Sequence, residues 1–365
     1  MGLGFLAAVL EESNVDVEIL NLADCKDLNK AEFPESDWYG ISCVSATFNA
    51  TKEIVSKLNG KTVVGGVHPS VLPEETKNEI NPDVVMTGEA EYLLRDLITG
   101  KVKPEPIMKA GLIQDLDALP LPARHLFDRT DVVDYTGIHG QDKGVPATTI
   151  ITARGCPFNC LFCTKAHPMF NWYRYRSAEL VYDELVHIKE DYGVEHVRFV
   201  DDEFTLHKQR TADLMKKMAD LGLTWVCITR ADTLDEKLLS LMKKAGCTEI
   251  HIGVETGSNR LLKLMNKQTT SEILLNGVRI IKEADIRVKT YLMMNFPEET
   301  EEDRKLTVEW MKKAKPDKFT LSNFTPLPGS ATYAYIKKSG DGWFYPDEDE
   351  AFLEYREQLK EAAQC

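Results

Sequence analysis

The sequence from Thr148 to Cys163 reads TTIITARGCPFNCLFC and decides the fold of the larger part of the chain. Its first six residues are mostly β-branched and predict a short strand. Cys156, Cys160 and Cys163 follow directly in a tight loop. Barrels of alternating strands and helices carry their chemistry at the C-terminal ends of their strands. The stretch therefore predicts a barrel-like α/β domain with its active site at this loop.

The cysteine loop supplies three thiolate ligands. Structural zinc sites and fully ligated iron–sulfur clusters usually take four protein ligands, so three leave one metal position open to an outside molecule. The alternative is a structural zinc knuckle with His167 as the fourth ligand. Zinc loops usually draw their ligands from two separated pairs, and the sequence has no second pair. The spacing favours an open metal position and hence catalysis.

The loop, with the aromatic Phe162 just before its third cysteine, resembles the cluster loop of the radical S-adenosylmethionine (SAM) enzymes. The resemblance implies that Cys156, Cys160 and Cys163 hold a [4Fe-4S] cluster whose free iron binds SAM, with Phe162 among the cofactor-binding residues. It implies cleavage of SAM to a 5′-deoxyadenosyl radical, which abstracts hydrogen from a substrate carbon. It also implies a small-molecule substrate and an electron donor such as flavodoxin or ferredoxin.

Strand and helix patterns alternate after the loop's own strand. The predicted strands are 148–153, 196–200, 224–229, 249–254, 287–293 and 318–322. Six strand–helix units fall short of the eight in a closed barrel. The radical SAM resemblance implies a laterally open, partial (β/α)6 TIM-type barrel, which we place at 146–335.

Polar residues close three of these strands. By the same resemblance, Asp201 and Asp202 hold the SAM amino group, Arg230 holds its carboxylate and Glu255 accepts hydrogen bonds from its ribose. A carboxylate suits a bound ammonium, and a guanidinium fork suits a carboxylate. Each residue alone is also explained as a helix N-cap or a strand-end ion pair. Their common order and spacing favour the SAM contacts.

Two turns resemble the family with substitutions. Asn295-Phe296-Pro297-Glu298-Glu299-Thr300 is similar to its Gly-x-Pro-Gly-Glu-Thr turn, with Asn295 and Glu298 in place of both glycines. The run 325–330, TPLPGS, is close to its Pro-x-Pro-Gly-Thr. Five further residues are candidates to line a cavity, each equally explained by ordinary packing or exposure: His68, His139, His167, Tyr291 and Asn323.

The first hundred residues alternate in the same way. Strands are predicted at 15–20, 39–44, 61–64 and 83–86, and helices at 5–12, 51–58 and 89–98, which indicates a small doubly wound, Rossmann-like domain at 1–100. The segments 2–11, 65–70 and 84–91 resemble the cobalamin (B12)-binding domain of certain radical SAM enzymes. The match begins at the first helix of that domain, so we expect a domain that lacks its first strand. A Pro- and Gly-rich linker at 101–145 and an acidic, helical tail at 336–365 complete the chain.

Cobalamin beside a radical cluster implies C-methylation of an unactivated carbon. The alternatives are a cobalamin-independent radical SAM oxidoreductase or cyclase and, more distantly, a zinc-stabilised adaptor without catalysis.

A net charge of −14 argues against broad nucleic-acid binding. The sequence has no run of eighteen apolar residues, so it does not indicate a membrane span. The five other cysteines are scattered, so no disulfide framework is implied and a cytoplasmic location is expected; Cys43, Cys227 and Cys247 are expected to be small buried hydrophobes.

Overall fold

The computed structural model describes residues 1–23, 25, 27–333, 338–339, 342–343 and 349–364. The chain divides into two compact units. The first comprises Met1–Val132, Cys163–Met169 and Pro326–Phe344, and the second comprises Val133–Phe162, Phe170–Thr325 and Tyr345–Cys365.

The first unit contains a four-stranded parallel sheet in the order β1-β2-β3-β4. The strands are β1 Trp38–Ser42, β2 Lys61–Gly65, β3 Val84–Thr87 and β4 Ile107–Lys109. Helices alternate with them: α1 Gly2–Glu11, α2 Phe48–Lys57, α3 Val67–Val71, α4 Pro73–Ile80, α5 Glu91–Ile98 and α6 Arg129–Val132. The buried side chains of β3 pack with α1 and α5, which gives the unit its own apolar core.

The first sheet differs from the sequence prediction at both edges. The segment 15–20 is predicted as a strand, but in the structure it does not belong to one. Its burial still alternates, and Val15 and Val17 pack on the apolar core. The alternating apolar pattern of this segment therefore indicates that one of its faces is buried. Burial of one face does not require a hydrogen-bonded neighbouring strand. Conversely, β4 lies inside the predicted linker, where flanking prolines and a length of three residues concealed it.

The second unit contains a six-stranded sheet in which all neighbours are parallel and follow the order β12-β11-β10-β9-β8-β5. Chain order and spatial order agree, as in a barrel built from successive strand–helix units. Among the described residues β5 and β12 are the two edges of this sheet, which confirms the predicted partial barrel. Its strands are β5 Ala147–Ile150, β8 His196–Phe199, β9 Thr224–Thr229, β10 Cys247–Glu255, β11 Arg287–Met294 and β12 Lys318–Asn323.

Helices separate the strands of this sheet: α7 Ala178–Tyr192, α8 Lys208–Met218, α9 Glu236–Lys244, α10 Asn259–Leu264, α11 Ser271–Glu283 and α12 Glu301–Ala314, with α13 Glu350–Gln364 packed on α12. Polar side chains cap several N-termini; Asp235 accepts from Leu238 N at the start of α9, for example. Two short antiparallel ribbons complete the described elements: β6 Ala153–Arg154 with β7 Arg174–Tyr175, and β13 Lys338–Ser339 with β14 Gly342–Trp343.

The core of the second unit is built from fully buried side chains of β8 and β9. The rings of Phe199 and Trp225 meet edge to face with centroids 5.3 Å apart, and Phe204 packs on both. Aromatic contacts of this kind add to the free energy gained by burial. Cys43, Cys227 and Cys247 are all buried, as expected. No helix in the described parts of the chain is both long and apolar enough to span a membrane.

Candidate functional site

The cysteine loop of the second unit is fixed through its backbone. Gly155 has a φ of +84°, and a Cβ there would lie 2.3 Å from the carbonyl oxygen of Trp172, so the turn requires glycine. Cys156 N donates to the carbonyl of Phe170 at 3.1 Å, and Leu161 N donates to the carbonyl of Met265 at 3.0 Å. Backbone hydrogen bonds set the path of the loop and leave its side chains for other contacts.

The chemistry of the cysteines fits an iron–sulfur cluster. None of Cys156, Cys160 and Cys163 is in a disulfide. Cys156 and Cys160 belong to the second unit, and Cys163 directly precedes the 3-10 helix Thr164–Ala166. Within the residues described, the structure gathers no three His, Cys, Asp or Glu side chains as a metal site. The cysteines are a candidate ligand set because of their chemistry and spacing, as thiolates are the ligands such clusters require.

Two buried cations lie beside Cys160. Burial raises the pKa of the Cys160 thiol, while Lys267 and Arg230 favour the thiolate and oppose that rise. The Arg230 guanidinium stacks on the Phe158 ring at 3.8 Å, and the Lys267 ammonium lies 5.6 Å from the centre of the Phe162 ring. Cations beside a buried sulfur stabilise negative charge on it. The surroundings of Cys160 are therefore suited to a thiolate or an anionic cluster.

Arg230 is held by a carboxylate of its own chain. Its Nε and Nη2 donate to the two oxygens of Asp232 at 2.9 and 2.6 Å, and its Nη1 donates to the carbonyl of Lys267 at 3.0 Å. Burial lowers the pKa of Arg230, but the Asp232 carboxylate more than compensates and the net direction is upward. The fork that we expected to face the carboxylate of SAM thus faces Asp232.

Glu255 forms a buried ion pair with Lys267. The Lys267 Nζ lies 2.6 Å from the Glu255 Oε1, and the two side chains are 9% and 10% exposed. The backbone has a register shift between Gly253 and Glu255, and Glu255 itself adopts a φ of +65°. A Cβ on Gly253 would lie 2.6 Å from the Glu255 carboxylate and 2.9 Å from the Lys267 ammonium, so a larger residue there would displace this ion pair. The carboxylate that we expected to meet ribose therefore meets an ammonium.

Asp201 and Asp202 differ in their surroundings. Asp201 is buried, and its carboxylate accepts from Thr152 N at 2.6 Å, from Ala153 N at 3.0 Å and from the Thr152 hydroxyl. Burial raises the pKa of Asp201, while Arg210 and these donors oppose the rise. Asp202 is half-buried. Asp201 thus fixes the strand end from which the cysteine loop begins.

Sequence reasoning missed two buried groups here. Glu203 is 1% exposed and accepts from Thr205 at 3.3 Å, from Thr233 at 3.1 Å and from the Thr229 hydroxyl. Lys267 lies between Asn266 and Gln268, which both have positive φ. Glu203 adjoined two carboxylates that were already candidates, so its position was a usable signal. Lys267 follows a helix end and gave no signal in the sequence.

The five candidate cavity residues are divided between the two units. His68 and His167 belong to the first unit, where His68 Nδ1 lies 3.0 Å from the Ser45 hydroxyl. His167 Nδ1 accepts from Met169 N at 3.3 Å. In the second unit Asn323 accepts from the Asn295 side chain, Tyr291 meets His251, and His139 is half-buried.

The turn after β11 keeps the backbone of the motif that it resembles. Asn295 and Glu298, which stand where the motif has glycine, adopt φ values of +64° and +66°. The Thr300 side chain caps α12 and forms a capping box with Asp303, and the Glu299 carboxylate accepts from Asn295 N at 2.7 Å. Glu299 and Thr300 therefore shape the turn itself.

The chain is similar to known proteins over most of its length. The model described as "Radical SAM superfamily" matches residues 150–311, and "B12 binding domain" matches residues 1–98. An uncharacterised methyltransferase of Pyrococcus horikoshii is 30% identical over 369 residues, covering 92% of this chain and 78% of that protein. The anaerobic magnesium-protoporphyrin IX monomethyl ester cyclase of Rubrivivax gelatinosus is 27% identical over 301 residues, covering 77% of this chain and 54% of the cyclase.

A solved structure has the same fold. The radical SAM methyltransferase TsrM of Kitasatospora setae, with cobalamin and a [4Fe-4S] cluster bound, matches with a TM-score of 0.74 at 18% identity. The match covers 98% of this chain and 82% of that one. Both family models and the Pyrococcus relative lead to one conclusion: the chain belongs to the radical SAM enzymes that carry an N-terminal B12-binding domain.

Proposed function

We propose that this enzyme transfers a methyl group to an unactivated carbon of a small molecule. The observation that carries the proposal is the occurrence, in one chain, of the radical SAM match at 150–311 and the B12-binding match at 1–98. When bound, the cluster and SAM would supply the hydrogen-abstracting radical and cobalamin would supply the methyl group. The name of the Pyrococcus relative supports methyl transfer.

The chain's own residues would bind these groups, stabilise their charge and position them. Cys156, Cys160 and Cys163 would ligate the cluster. Arg230 and Lys267 would stabilise its negative charge through their positions beside Cys160. Phe162, whose ring lies under the Lys267 ammonium, would cover the cluster side of the site.

SAM would be contacted by the strand-end residues. Asp201 and Asp202 would receive its ammonium, Arg230 its carboxylate and Glu255 its ribose. Arg230 and Glu255 are each paired within the chain, with Asp232 and Lys267 respectively. Binding of SAM would therefore exchange or share these pairs. Asp201 would also hold the base of the loop through Thr152.

The cluster assignment is tested by product analysis. Cys160→Ala in the anaerobically reconstituted protein should abolish 5′-deoxyadenosine formation, because a cluster ligand is lost. Cys25→Ala, which removes a cysteine outside the loop, is the matched control and should retain it. Continued 5′-deoxyadenosine formation by the Cys160 variant would refute the ligand set.

The cobalamin assignment is tested by retention through gel filtration, read from the visible spectrum. Near-stoichiometric cobalamin on the reconstituted protein would support methyl transfer. Loss of all cobalamin from a protein that still cleaves SAM would refute the cobalamin part of the proposal. Methylated product, with S-adenosylhomocysteine beside 5′-deoxyadenosine, would establish the transfer itself.

A cyclase is the second candidate, favoured by the similarity to the Rubrivivax enzyme. Cyclisation would give 5′-deoxyadenosine without S-adenosylhomocysteine and a product that gains no methyl mass. We further propose that a reduced flavodoxin or ferredoxin supplies the electron. We place the enzyme in the cytoplasm, where cysteine thiols stay reduced.

A further inference from the structure

One face of the six-stranded sheet carries charged side chains on four neighbouring strands. Along β11, Val288, Thr290 and Leu292 are buried, whereas Lys289 and Tyr291 between them are half-buried. Successive residues of a strand point to opposite faces. Lys289 and Tyr291 therefore share the less covered face, which in a barrel-like sheet is the face that the helices leave open.

The strand register brings further charges onto this face. Lys289 pairs with His251 on β10 and with Lys318 on β12. Two residues closer to the N-terminus of β11, Arg287 pairs with Glu249 on β10. Glu249 pairs in turn with Val226 on β9, and Val226 pairs with Arg198 on β8. Paired residues of adjacent parallel strands present their side chains on the same face. The set Arg198, Glu249, His251, Arg287, Lys289 and Lys318 thus forms one group, which we call the cationic face.

A single carboxylate organises the cationic face. Glu249 Oε1 accepts from His251 Nε2 at 2.8 Å, and Glu249 Oε2 lies 2.9 Å from the Lys318 ammonium and 3.6 Å from Arg287 Nε. Burial raises the pKa of Glu249, but the His251 and Lys318 contacts outweigh it and lower the pKa to about 2. Glu249 is therefore a permanent anion that balances one of the surrounding cations.

Positive charge remains in excess. The cationic face contains two arginines and two lysines but one carboxylate, and only Lys318 and Arg287 of these four lie within ion-pair distance of Glu249. Among the described residues, no carboxylate lies within ion-pair distance of Lys289. Its ammonium lies 5.2 Å from the Tyr291 ring centre. Burial lowers the pKa of Lys289, Glu249 opposes this, and Arg198 and Lys318 lower it further. The Lys318 and Arg287 side chains are 50% and 48% exposed, so the face is reachable from outside.

The interior of a closed (β/α)8 barrel is filled mainly with branched apolar residues. Half-burying cations that repel each other costs free energy unless an anion is bound. Tyr291 adds a hydroxyl, 3.0 Å from His251 Nδ1, to the ammonium and guanidinium donors.

We propose that Arg198, Lys289 and Lys318, with the Tyr291 hydroxyl, bind a carboxylate or phosphate group of this enzyme's substrate. This inference rests on the proposed function, because it assigns a chemical class to the substrate of that reaction. The substrate is an anion whose charged end lies on this face, toward the N-terminal ends of β11 and β12. Its reacting carbon lies toward the strand ends that carry Arg230 and Glu255.

The test measures binding of hexyl phosphate, hexanoate and neutral hexanol to the reconstituted holoenzyme by calorimetry at constant ionic strength. The wild type should bind one or both anions and bind hexanol far more weakly; the tighter anion assigns the head group. Lys289→Met and Arg198→Met should each weaken that binding about tenfold, the size expected for one charge-assisted hydrogen bond. Lys289→Arg should retain it. Lys216→Met removes an exposed lysine of α8 and should leave binding unchanged.

Binding no tighter for the anions than for hexanol would overturn the inference, as would unchanged binding in both methionine variants. Circular dichroism and thermal unfolding confirm that each variant is folded. The assay needs no SAM cleavage, so the two proposals fail separately. A protein that binds hexyl phosphate through Lys289 but never forms 5′-deoxyadenosine would refute the radical reaction and keep the anion site.

Discussion

The second unit holds two groups of charged residues with opposite electrostatic balance. Around Cys160 each cation has its own carboxylate, since Lys267 pairs with Glu255 and Arg230 with Asp232. On the cationic face, Lys318, Arg287 and His251 all contact Glu249, and among the described residues Lys289 has no carboxylate within ion-pair distance. The difference teaches that the first group is charge-balanced by its own carboxylates, whereas among the described residues the second carries more positive than negative charge, which the anion that we propose would balance.

The two groups also differ in their backbone. Glu255 and, after β11, Asn295 and Glu298 have positive φ, which costs non-glycine residues free energy. Lys289 and Lys318 lie in regular parallel strands. Positive φ and paired charges thus occur together at the C-terminal ends of β10 and β11, whereas Lys289 and Lys318 carry their charge on regular strand backbone.

The largest expected effect separates the two kinds of lysine. Lys267→Met leaves the Glu255 carboxylate buried without its ammonium and should lower the free energy of unfolding by about 3 kcal/mol. Urea denaturation of the apo-protein, followed by tryptophan fluorescence, measures this. Adding Glu255→Gln to the same chain should recover most of the loss. Lys243→Met, which breaks an exposed pair with Asp285, is the control and should have little effect. Equal effects of the two lysine variants would contradict the buried pair.

The second-largest effect on stability is expected from removing the one carboxylate of the cationic face. Glu249→Gln should cost about 2–3 kcal/mol at pH 7, because Lys318, Arg287 and His251 lose their shared counter-charge. The folded pKa of about 2 lies below the unfolded value, so the stability that Glu249 provides is present above about pH 4.3 and is lost as the pH falls toward 2. The difference between wild type and variant should shrink over that range. Glu283→Gln, an exposed carboxylate of α11, controls for general charge effects.

Removing a cation from the cationic face should raise the free energy of unfolding, whereas Lys267→Met lowers it. Lys289→Met relieves repulsion from Arg198 and Lys318 and should raise the free energy of unfolding by about 0.5 kcal/mol, a value reduced by solvent screening. The gain should fall as salt is added, because the repulsion is itself screened. Arg279→Met on α11 loses an exposed pair with Glu283 and should show no such gain. A marked loss of stability in Lys289→Met would mean that this lysine is structurally paired.

The sequence predicted the strand–helix order because each strand of the second unit is a short apolar run between helical patterns. The prediction failed where the apolar pattern of a segment does not match its hydrogen bonding to other strands. The segment 15–20 alternates in burial without belonging to a strand, and β4 pairs with β3 although prolines surround it. Hydrogen bonding between strands depends on distant neighbours, which local pattern does not encode.

At the candidate site, the strand-end residues Arg230 and Glu255 were predictable from their positions. Their partners were not. Lys267 reaches Glu255 only because two residues with positive φ fold its loop back, and neither Asn266 nor Gln268 is a residue type that demands that conformation. The cationic face escaped notice because its members are separated by 120 residues of sequence, from Arg198 to Lys318, and meet only through strand register.

The smallest effect tests the strain at the strand ends. Glu298 is exposed, and its carbonyl, which accepts from Arg260 at 2.7 Å, would survive substitution by glycine. Glu298→Gly should therefore raise the free energy of unfolding by about 0.5 kcal/mol, the relief of a left-handed backbone less the entropy of glycine. Asn295→Gly is the matched variant at a similar φ. It should give no gain, because asparagine tolerates this conformation and its side chain bonds Asn323 and Arg304. Equal gains at both positions would show that residue type contributes nothing to the strain, and a loss at Glu298 would place the strain elsewhere in the turn.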